Sequence, residues 1–388
     1  MSRELFSRNA DLSRLREDGY FVQVVGGALV MRQVPYVNAQ RQVCFGTLVS
    51  SLTLAGDQTC RPDTHVVFFD GDFPCEADGS PMQQISHQTV ANTFGTITAR
   101  YSFSSKPEGG YADYYQKMST YATILAGPAA VLQPGVTPKV NRTPYKEEES
   151  IFNYVETASG RVGLGALTQR FTEHRVAIIG AGGTGSYVLD FVAKTPVREI
   201  RVFDGDDFLT HNAFRAPGAP SIEELRDAPR KVDYLKGIYS KMHRGISVHP
   251  ALDASNLDLL NGISFAFICI DAGESKRLIV ERLESMNVAF IDVGMGLELV
   301  NDSLGGILRV STSTPDNRAE ARKHMSFTGG GADNIYASNV QVADLNALNA
   351  VLAVIKWKKL IGFYRDLEGE HHCTYTTDGN MLLNGDGQ

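Results

Sequence analysis

The stretch RVAIIGAGGTGSYVLDFVAK, residues 175–194, decides the fold of this chain. It begins with an apolar run, passes through a turn that contains Gly180, Gly182, Gly183 and Gly185, and continues with apolar residues at helical spacing. A glycine turn between a buried strand and a helix lets backbone N–H groups approach a phosphate at the positive end of the helix. The stretch therefore predicts a Rossmann-like nucleotide-binding unit in which these four glycines hold phosphates.

Apolar strands and helices alternate on both sides of the glycine turn. The pattern predicts strand Arg175–Ile179, helix Gly185–Lys194, strand Glu199–Asp204, helix Ser221–His243, strand Phe265–Asp271, helix Glu274–Met286, strands Ala289–Val293 and Gly305–Thr312, and helix Val340–Ile361. Strands that alternate with helices form a mostly parallel sheet, and apolar strands suit a sheet covered on both faces. We therefore assign residues 146–388 to an α/β domain. Its polar stretch 312–338 is a long crossover-type loop, and loops of that length are usually functional.

Residues 1–145 form a separate, β-rich α+β domain in this interpretation. Short β-type runs are separated by turn signals such as Asp70-Gly71-Asp72. A helix is predicted over Gly110–Leu125, and the proline-bearing stretch Gly127–Thr143 reads as a linker. No motif in this domain points to chemistry, so we expect an accessory domain that binds a partner protein.

Composition excludes several classes of function. The chain has 388 residues and a net charge of −7 without a basic run, which argues against a nucleic-acid partner. No apolar run is long enough to cross a membrane, and the start of the chain does not look like a signal peptide. The five cysteines include no C-x-x-C pair, which argues against disulfides and structural zinc. We expect a soluble, cytoplasmic protein.

Polar residues follow the predicted strands where ligands bind in parallel sheets. Asp204 ends the second strand, and a carboxylate at that position accepts the hydroxyls of a ribose. The glycines alone do not separate NAD from ATP. A site for attack on a phosphate needs cations and a metal-binding carboxylate, however, and this chain offers Arg215, Lys231 and Asp271.

The order of these residues resembles the ThiF/MoeB/ubiquitin-activating-enzyme superfamily over about residues 155–360. That family has a Gly-x-Gly-Gly-x-Gly turn and an Asp at the end of the second strand. An Asn follows that Asp by eight residues and an Arg by eleven, as Asn212 and Arg215 follow Asp204 here. A Lys then opens the next helix and an Asp follows the third strand, at Lys231 and Asp271 here. Arg277 also matches the family pattern.

The resemblance implies adenylation of a carboxylate with ATP and Mg²⁺. The glycines and Asp206 would contribute to the nucleotide site, and Asp204 would hold the ribose. Asn212, Arg215 and Lys231 would neutralise the triphosphate, and Asp271 would hold Mg²⁺. Family members also use an arginine that precedes the adenylation domain, often across a homodimer interface. Arg161 is the first candidate for this role and Arg170 the second, although both spacings depart from the family pattern.

The loop at residues 312–338 departs from many relatives, which carry a cysteine there that accepts the activated carboxylate. Here the loop contains no cysteine. Cys269 lies inside a predicted central strand and reads as an inert residue. Cys373 follows His371 and His372, so it is either a nucleophile with a lowered pKa or part of a surface turn.

Three fates of the adenylate remain open at this point. The enzyme stops at the adenylate, forms an ester on a loop hydroxyl, or passes the acyl group directly to the cysteine of a partner. Ser326, close in sequence to His324, and Ser338 are the candidate hydroxyls.

Four functions compete. The leading hypothesis is an activating enzyme for a ubiquitin-like protein of a bacterial conjugation system, acting with a conjugating-enzyme partner. The second is an adenylyltransferase for a sulfur-carrier protein or a short peptide, without a covalent enzyme intermediate. The third is an NAD-dependent oxidoreductase, which would leave Arg215, Lys231 and Asp271 unexplained. The fourth is a non-catalytic scaffold, which would not need those three residues.

Overall fold

The computed structural model describes residues 2–141, 150–159, 164–327 and 341–385, which divide into two units, Met1–Gln169 and Arg170–Gln388. The predicted domain boundary between residues 145 and 146 lies outside the described residues. Among the described helices, none has both the length and the hydropathy of a membrane-spanning segment.

The first unit is built on an antiparallel six-stranded sheet in the order β1-β2-β3-β6-β8-β7. Its elements are α1 (Ser2–Arg8), α2 (Ala10–Glu17), β1 (Phe21–Val25), β2 (Ala28–Val37), β3 (Val43–Ser51), β4 (Leu54–Ala55), β5 (Gln58–Thr59), β6 (Val66–Asp70), β7 (Ser86–Phe94), β8 (Ile97–Ser104), α3 (Tyr114–Leu132) and α4 (Gly165–Gln169). Buried side chains of α1, α2 and α3 share one apolar cluster with the sheet. The prediction of a β-rich α+β domain is confirmed.

Helix α3 corrects the predicted end of a helix at Leu125 and the predicted linker from Gly127. The helix continues to Leu132 with Pro128 inside it. Tyr121, Leu125 and Ala129 are fully buried on its inner face. A proline inside a helix removes one hydrogen bond and costs about 3 kcal/mol, and burial of this apolar face offsets that cost.

The second unit is built on an eight-stranded sheet in the order β11-β10-β9-β12-β13-β14-β15-β16. Its elements are β9 (Arg175–Ile179), α5 (Gly183–Ala193), β10 (Glu199–Phe203), α6 (Thr210–Ala213), α7 (Ile222–Arg226), α8 (Lys231–Tyr239), β11 (Ile246–His249), β12 (Phe265–Ile268), α9 (Glu274–Ser285), β13 (Ala289–Val300), β14 (Ser303–Ser313), α10 (Arg318–Lys323), α11 (Ala343–Leu360), β15 (His372–Thr376) and β16 (Met381–Asn384). The pairings from β11 to β13 are parallel, and those from β13 to β16 are antiparallel. The predicted α/β class with a mostly parallel sheet is confirmed.

The central strands are apolar because both faces of the sheet are covered. On β9, Val176 and Ile178 pack in the cluster that contains α5 and α11. The alternating residues Ala177 and Ile179 pack in a second cluster, which contains α9. Successive strand residues point to opposite faces, so each face of β9 contributes to a different core layer.

Three predicted elements, one helix and two strands, have different bounds in the structure. The predicted helix Ser221–His243 is two helices, α7 and α8, because Pro229 in the connection cannot donate a helical hydrogen bond. The predicted strands Ala289–Val293 and Gly305–Thr312 are longer and form one hairpin. Asn301 and Asp302 close it with φ angles of 49° and 60°, as a two-residue turn requires.

The predicted loop 312–338 also contains regular structure at its beginning. Strand β14 extends to Ser313, and helix α10 follows. Residues 328–340, which include Ser338, lie outside the described residues.

Candidate functional site

The glycine turn lies where the strand order of the sheet reverses. From β9 the chain passes to β10 and β11 on one side, and β12 lies on the other side of β9. Ligands of open parallel sheets bind at the carboxyl ends of the strands at such a reversal. The loops that meet there follow β9, β10 and β12, and they carry Gly180, Asp204 and Asp271 respectively.

Close packing explains why two positions of the turn, 180 and 185, are occupied by glycine. Gly180 has a φ of +94°, and a Cβ atom at this position would lie 2.5 Å from the carbonyl oxygen of Cys269. A Cβ atom at Gly185 would collide with the carbonyl oxygen of Gly180. Gly182 precedes the first turn of α5, and, apart from its chain neighbours, no atom of the described residues lies within 4 Å of where its Cβ would be. The turn is therefore tight against the protein and open on the side from which a phosphate would approach.

Asp204 is hydrogen-bonded to the glycine turn. Its Oδ2 accepts from the backbone N–H of Ala181 at 2.7 Å, and its Oδ1 accepts from the backbone N–H of Asp206 at 2.8 Å. An ionised carboxylate has about four acceptor positions, so capacity remains for a ribose hydroxyl. Asp204, which is predicted to bind the ribose, is therefore joined by a hydrogen bond to the glycine turn, which is predicted to bind the phosphates.

Lys231 begins α8 beside these carboxylates. Its ammonium donates to Asp206 Oδ2 at 2.6 Å and lies 3.9 Å from Asp204 Oδ1. Only 9% of the Lys231 side chain is exposed, whereas Asp206 is 74% exposed. The backbone N–H of Lys231 also donates to the carbonyl of Asp206. Asp206 therefore fixes the position of Lys231.

Asn212 and Arg215 lie on and just after the short helix α6. Asn212 is 3% exposed, and its Oδ1 accepts from the backbone N–H of Leu209, so it caps this helix. The Nε atom of Arg215 is buried and has no hydrogen-bond partner among the described residues. Buried donors are nearly always paired in folded proteins, so this guanidinium suits an anionic ligand.

Asp271 is exposed in the loop between β12 and α9. Within the described parts of the chain, no group of three or more His, Cys, Asp or Glu residues is placed to bind a metal. Mg²⁺ commonly binds one or two carboxylates together with phosphates and water. A single exposed carboxylate at the sheet edge fits that kind of site. Arg277 pairs with Glu274 at 3.6 Å on the surface of α9.

The two arginine candidates fall in different places. Arg161 lies outside the described residues. The Arg170 guanidinium donates to the carbonyl of Gly362, beyond the far end of α11. Helix α11 approaches the glycine turn near its first turn, at Asn346, and at 1.5 Å per residue Gly362 is about 24 Å further along. Arg170 is therefore remote from the glycine turn of its own chain.

Of the candidate nucleophiles, the structure describes Cys373 and Ser326. Cys373 lies in β15, is 9% exposed and packs in the apolar core, so the predicted surface turn is corrected and the thiol is not placed for attack. Burial, and secondarily the Asp292 carboxylate, raise the pKa of the Cys269 thiol. Ser326 is exposed after α10. The His324 ring contacts Glu320 at 3.8 Å and stacks on His372 at 3.8 Å between ring centroids.

Sequence reasoning missed a buried charged cluster beside the strand ends. Asp292 on β13 is fully buried, with Lys276 Nζ 2.6 Å from its Oδ1 and Arg309 Nη2 2.7 Å from its Oδ2. It is in register with Ile268 at the end of β12. The one signal in the sequence was a carboxylate inside an apolar strand.

A second missed residue is Asn346, which is fully buried on α11 against the start of α5. Its signal in the sequence was an asparagine in a helix that is rich in Ala, Leu and Val.

Comparison with known proteins gives two family matches. A domain of unknown function, DUF6791, matches residues 10–157, and the ThiF family matches residues 158–356. No curated protein sequence matches the chain.

Several solved structures resemble it. PaaA is 18% identical over 56% of this chain and 74% of its own, with a TM-score of 0.43. Escherichia coli MccB with ATP is 17% identical over 56% of this chain and 65% of its own, with a TM-score of 0.40. The microcin C7 biosynthetic enzyme MccB in complex with N-formylated MccA is 18% identical over 59% and 69%, with a TM-score of 0.44.

The family assignment rests on the match to residues 158–356, which is just over half of the sequence and includes the glycine turn, Asp204, Arg215, Lys231 and Asp271. The chain belongs to the ThiF family, whose fold supports ATP-dependent chemistry of the adenylyltransferase type.

Proposed function

We propose that this chain activates the C-terminal carboxylate of a ubiquitin-like protein by adenylating it with ATP. The observation that carries this proposal is that two cationic residues are tied to the glycine turn. Lys231 is linked to it through Asp204, which accepts from the N–H of Ala181. Arg215 is linked to it through the side chain of Asn346, which also contacts Thr184. An NAD site has no need of two such cations beside its phosphates.

The arrangement suits attack at the α-phosphorus of ATP. An oxygen of the incoming carboxylate forms a bond to the α-phosphorus, the bond from that phosphorus to the bridging oxygen breaks, and pyrophosphate leaves with the electron pair. Arg215 and Lys231 would stabilise the negative charge that shifts toward the pyrophosphate. Asp204 would hold the ribose, and the first turn of α5 would hold phosphate oxygens. Positioning and charge stabilisation therefore suffice without a covalent enzyme intermediate.

Asp271 would hold Mg²⁺, which prefers oxygen ligands. A bound Mg²⁺ supplies positive charge to the phosphates. The exposure of Asp271 leaves room for water and phosphate oxygens around the ion. Asn212 would act by fixing α6, and hence the start of the segment that carries Arg215.

The fate of the adenylate is part of this proposal. Residues 312–338 contain no cysteine, and Cys373 is buried. We therefore favour direct transfer to the cysteine of a conjugating-enzyme partner, with an ester on the exposed Ser326 as the second route. Residues 1–145 would bind one of these proteins. A homodimer would let Arg161 of one protomer reach the site of the other, and the chain would act in the cytoplasm.

An adenylyltransferase for a sulfur-carrier protein or a short peptide is the alternative. The lack of a loop cysteine favours it, because such enzymes release the adenylate without an acyl-enzyme. The accessory domain of about 150 residues favours a protein substrate.

Nucleotide selectivity tests the proposal before any substrate is known. We expect the purified chain to bind Mg·ATP in titration calorimetry, and to bind NAD⁺ much more weakly. Lys231→Met, which removes a phosphate-facing charge, is expected to weaken ATP binding by on the order of tenfold. Arg226→Met is the matched control, since Arg226 is a 71% exposed surface residue on α7. Preferential binding of NAD⁺ would contradict the proposal and support the oxidoreductase alternative.

A further inference from the structure

Asn346 is a fully buried polar residue on α11, whose inner face combines apolar residues with the buried polar residues Asn346, Asn349 and Lys356. Burying an amide without partners costs several kcal/mol, so a buried asparagine is normally held by hydrogen bonds. Its partners identify what it holds together. They belong to α5 and to the segment that follows α6, which are far apart in sequence.

The Asn346 amide contacts the first turn of α5. Its Oδ1 accepts from the Thr184 hydroxyl at 2.9 Å. A Cβ atom at Gly183 would lie 2.5 Å from the Asn346 Cγ and 2.6 Å from its Oδ1. Gly183 is therefore a glycine because the Asn346 side chain occupies the space that a larger residue would need.

The same amide reaches the segment that carries Arg215. Its Nδ2 donates to the Arg215 carbonyl in a long hydrogen bond of 3.5 Å. The buried Nε atom of the Arg215 guanidinium has no hydrogen-bond partner among the described residues. Within the described residues, the Asn346 amide is thus the polar link between Arg215 and the phosphate-binding turn.

We propose that Asn346 is a positioning residue for adenylation, which holds Arg215 in register with the start of α5. This inference rests on the proposed function. Because a misplacement of about 1 Å in a charge-stabilising group is enough to lower a rate on the order of 10²-fold, loss of the amide acts on the reaction through Arg215.

A double-mutant cycle tests this inference. Asn346→Ala is expected to lower kcat for ATP–pyrophosphate exchange on the order of 10²-fold, with a smaller change in KM for ATP. The double variant Asn346→Ala/Arg215→Ala is expected to have a kcat less than about threefold below that of Arg215→Ala alone. A residue that affects the rate independently of Arg215 gives losses that multiply, so non-additivity is the sign that Asn346 acts through Arg215.

Asn349 provides the matched control. It is 1% exposed and lies one turn further along α11, but its Nδ2 donates to the carbonyl of Gly294 on β13. Asn349→Ala is expected to lower the melting temperature without the kcat loss. If Asn346→Ala does not fold, Asn346→Ser, which leaves a smaller cavity, is used in the same cycle.

The outcomes are distinguishable. If the wild-type chain catalyses exchange and the folded Asn346 variant has a normal kcat, this inference is overturned and the proposed function stands. This inference is also overturned if the kcat loss of the double variant equals the product of the losses caused by Arg215→Ala and Asn346→Ala separately. Absence of exchange by the wild-type chain with every ubiquitin-like protein encoded nearby would overturn the proposed function, and this inference with it.

Discussion

Replacing Arg215 by alanine is expected to lower kcat/KM for ATP–pyrophosphate exchange by about 10²–10³-fold, the usual loss when one charge-stabilising donor is removed. The guanidinium has a buried Nε atom without a partner among the described residues, so the substitution breaks no hydrogen bond at that atom. We therefore expect the activity to fall while the melting temperature changes little. Exchange kinetics and thermal unfolding of the same preparation measure both effects.

The control for this prediction is Arg226→Ala. Arg226 follows Arg215 in the chain but is 71% exposed and lies 3.8 Å from Glu223 on α7. Its removal is expected to leave the exchange rate within about twofold, because exposed ion pairs contribute little. An Arg215→Ala enzyme with wild-type kcat/KM would remove Arg215 from the reaction.

Replacing Asp292 by alanine is expected to destabilise the second unit by about 3–5 kcal/mol. The Asp292 carboxylate is fully buried between Lys276 and Arg309, whose side chains are 3% and 21% exposed. Without the carboxylate, two cations stay in the core with their charge uncompensated. Urea unfolding measures the loss, and fluorescence of Trp357 reports on this unit, because the chain has one tryptophan and it is fully buried there.

Glu320→Ala is the reference for that measurement. Glu320 pairs with Lys323 at 2.6 Å on the surface of α10, where the two side chains are 57% and 67% exposed. We expect the Glu320→Ala variant to have the same urea midpoint as the wild-type chain, since screening by water weakens exposed ion pairs. A midpoint for Asp292→Ala as high as that of Glu320→Ala would show that the buried cluster does not stabilise the fold.

Local patterns in the sequence were enough to predict the nucleotide-binding fold. Glycines at 180 and 185 are required by close backbone contacts, and strand residues that are apolar on both faces identify a covered sheet. These signals depend on residues that are close to each other in the sequence, so they can be recognised without the structure. The same holds for Asp204 and Lys231, which the structure places within 4 Å of each other.

What the sequence did not reveal depends on contacts between distant residues. Asn346 pairs with Thr184 and Arg215, more than 100 residues away, and nothing in the sequence of the helix distinguishes it from Asn349 or indicates those partners. In the sequence, Asp292 only interrupts an apolar strand. The structure shows that Lys276 and Arg309 pair with its carboxylate. The helix through Pro128 was missed because burial of its inner face outweighs the local preference of proline.

The position of Cys373 also depends on a distant contact. Its histidine neighbours left two interpretations open, a nucleophile with a lowered pKa or part of a surface turn, but β15 pairs with β14 and places the residue in the apolar core. Strands β15 and β16 give short, weak signals in the sequence. The partner of β15 is β14, about 60 residues earlier, and β16 pairs with β15.

The measurement that tests the central claim most directly is ATP–pyrophosphate exchange by the purified chain, alone and with ubiquitin-like proteins encoded nearby, for the wild type and Asp271→Ala. We predict exchange that depends on Mg²⁺, appears only when a protein with a suitable C-terminal carboxylate is added, and is abolished in Asp271→Ala. No exchange with any such protein, together with measurable binding of NAD⁺, would contradict carboxylate adenylation.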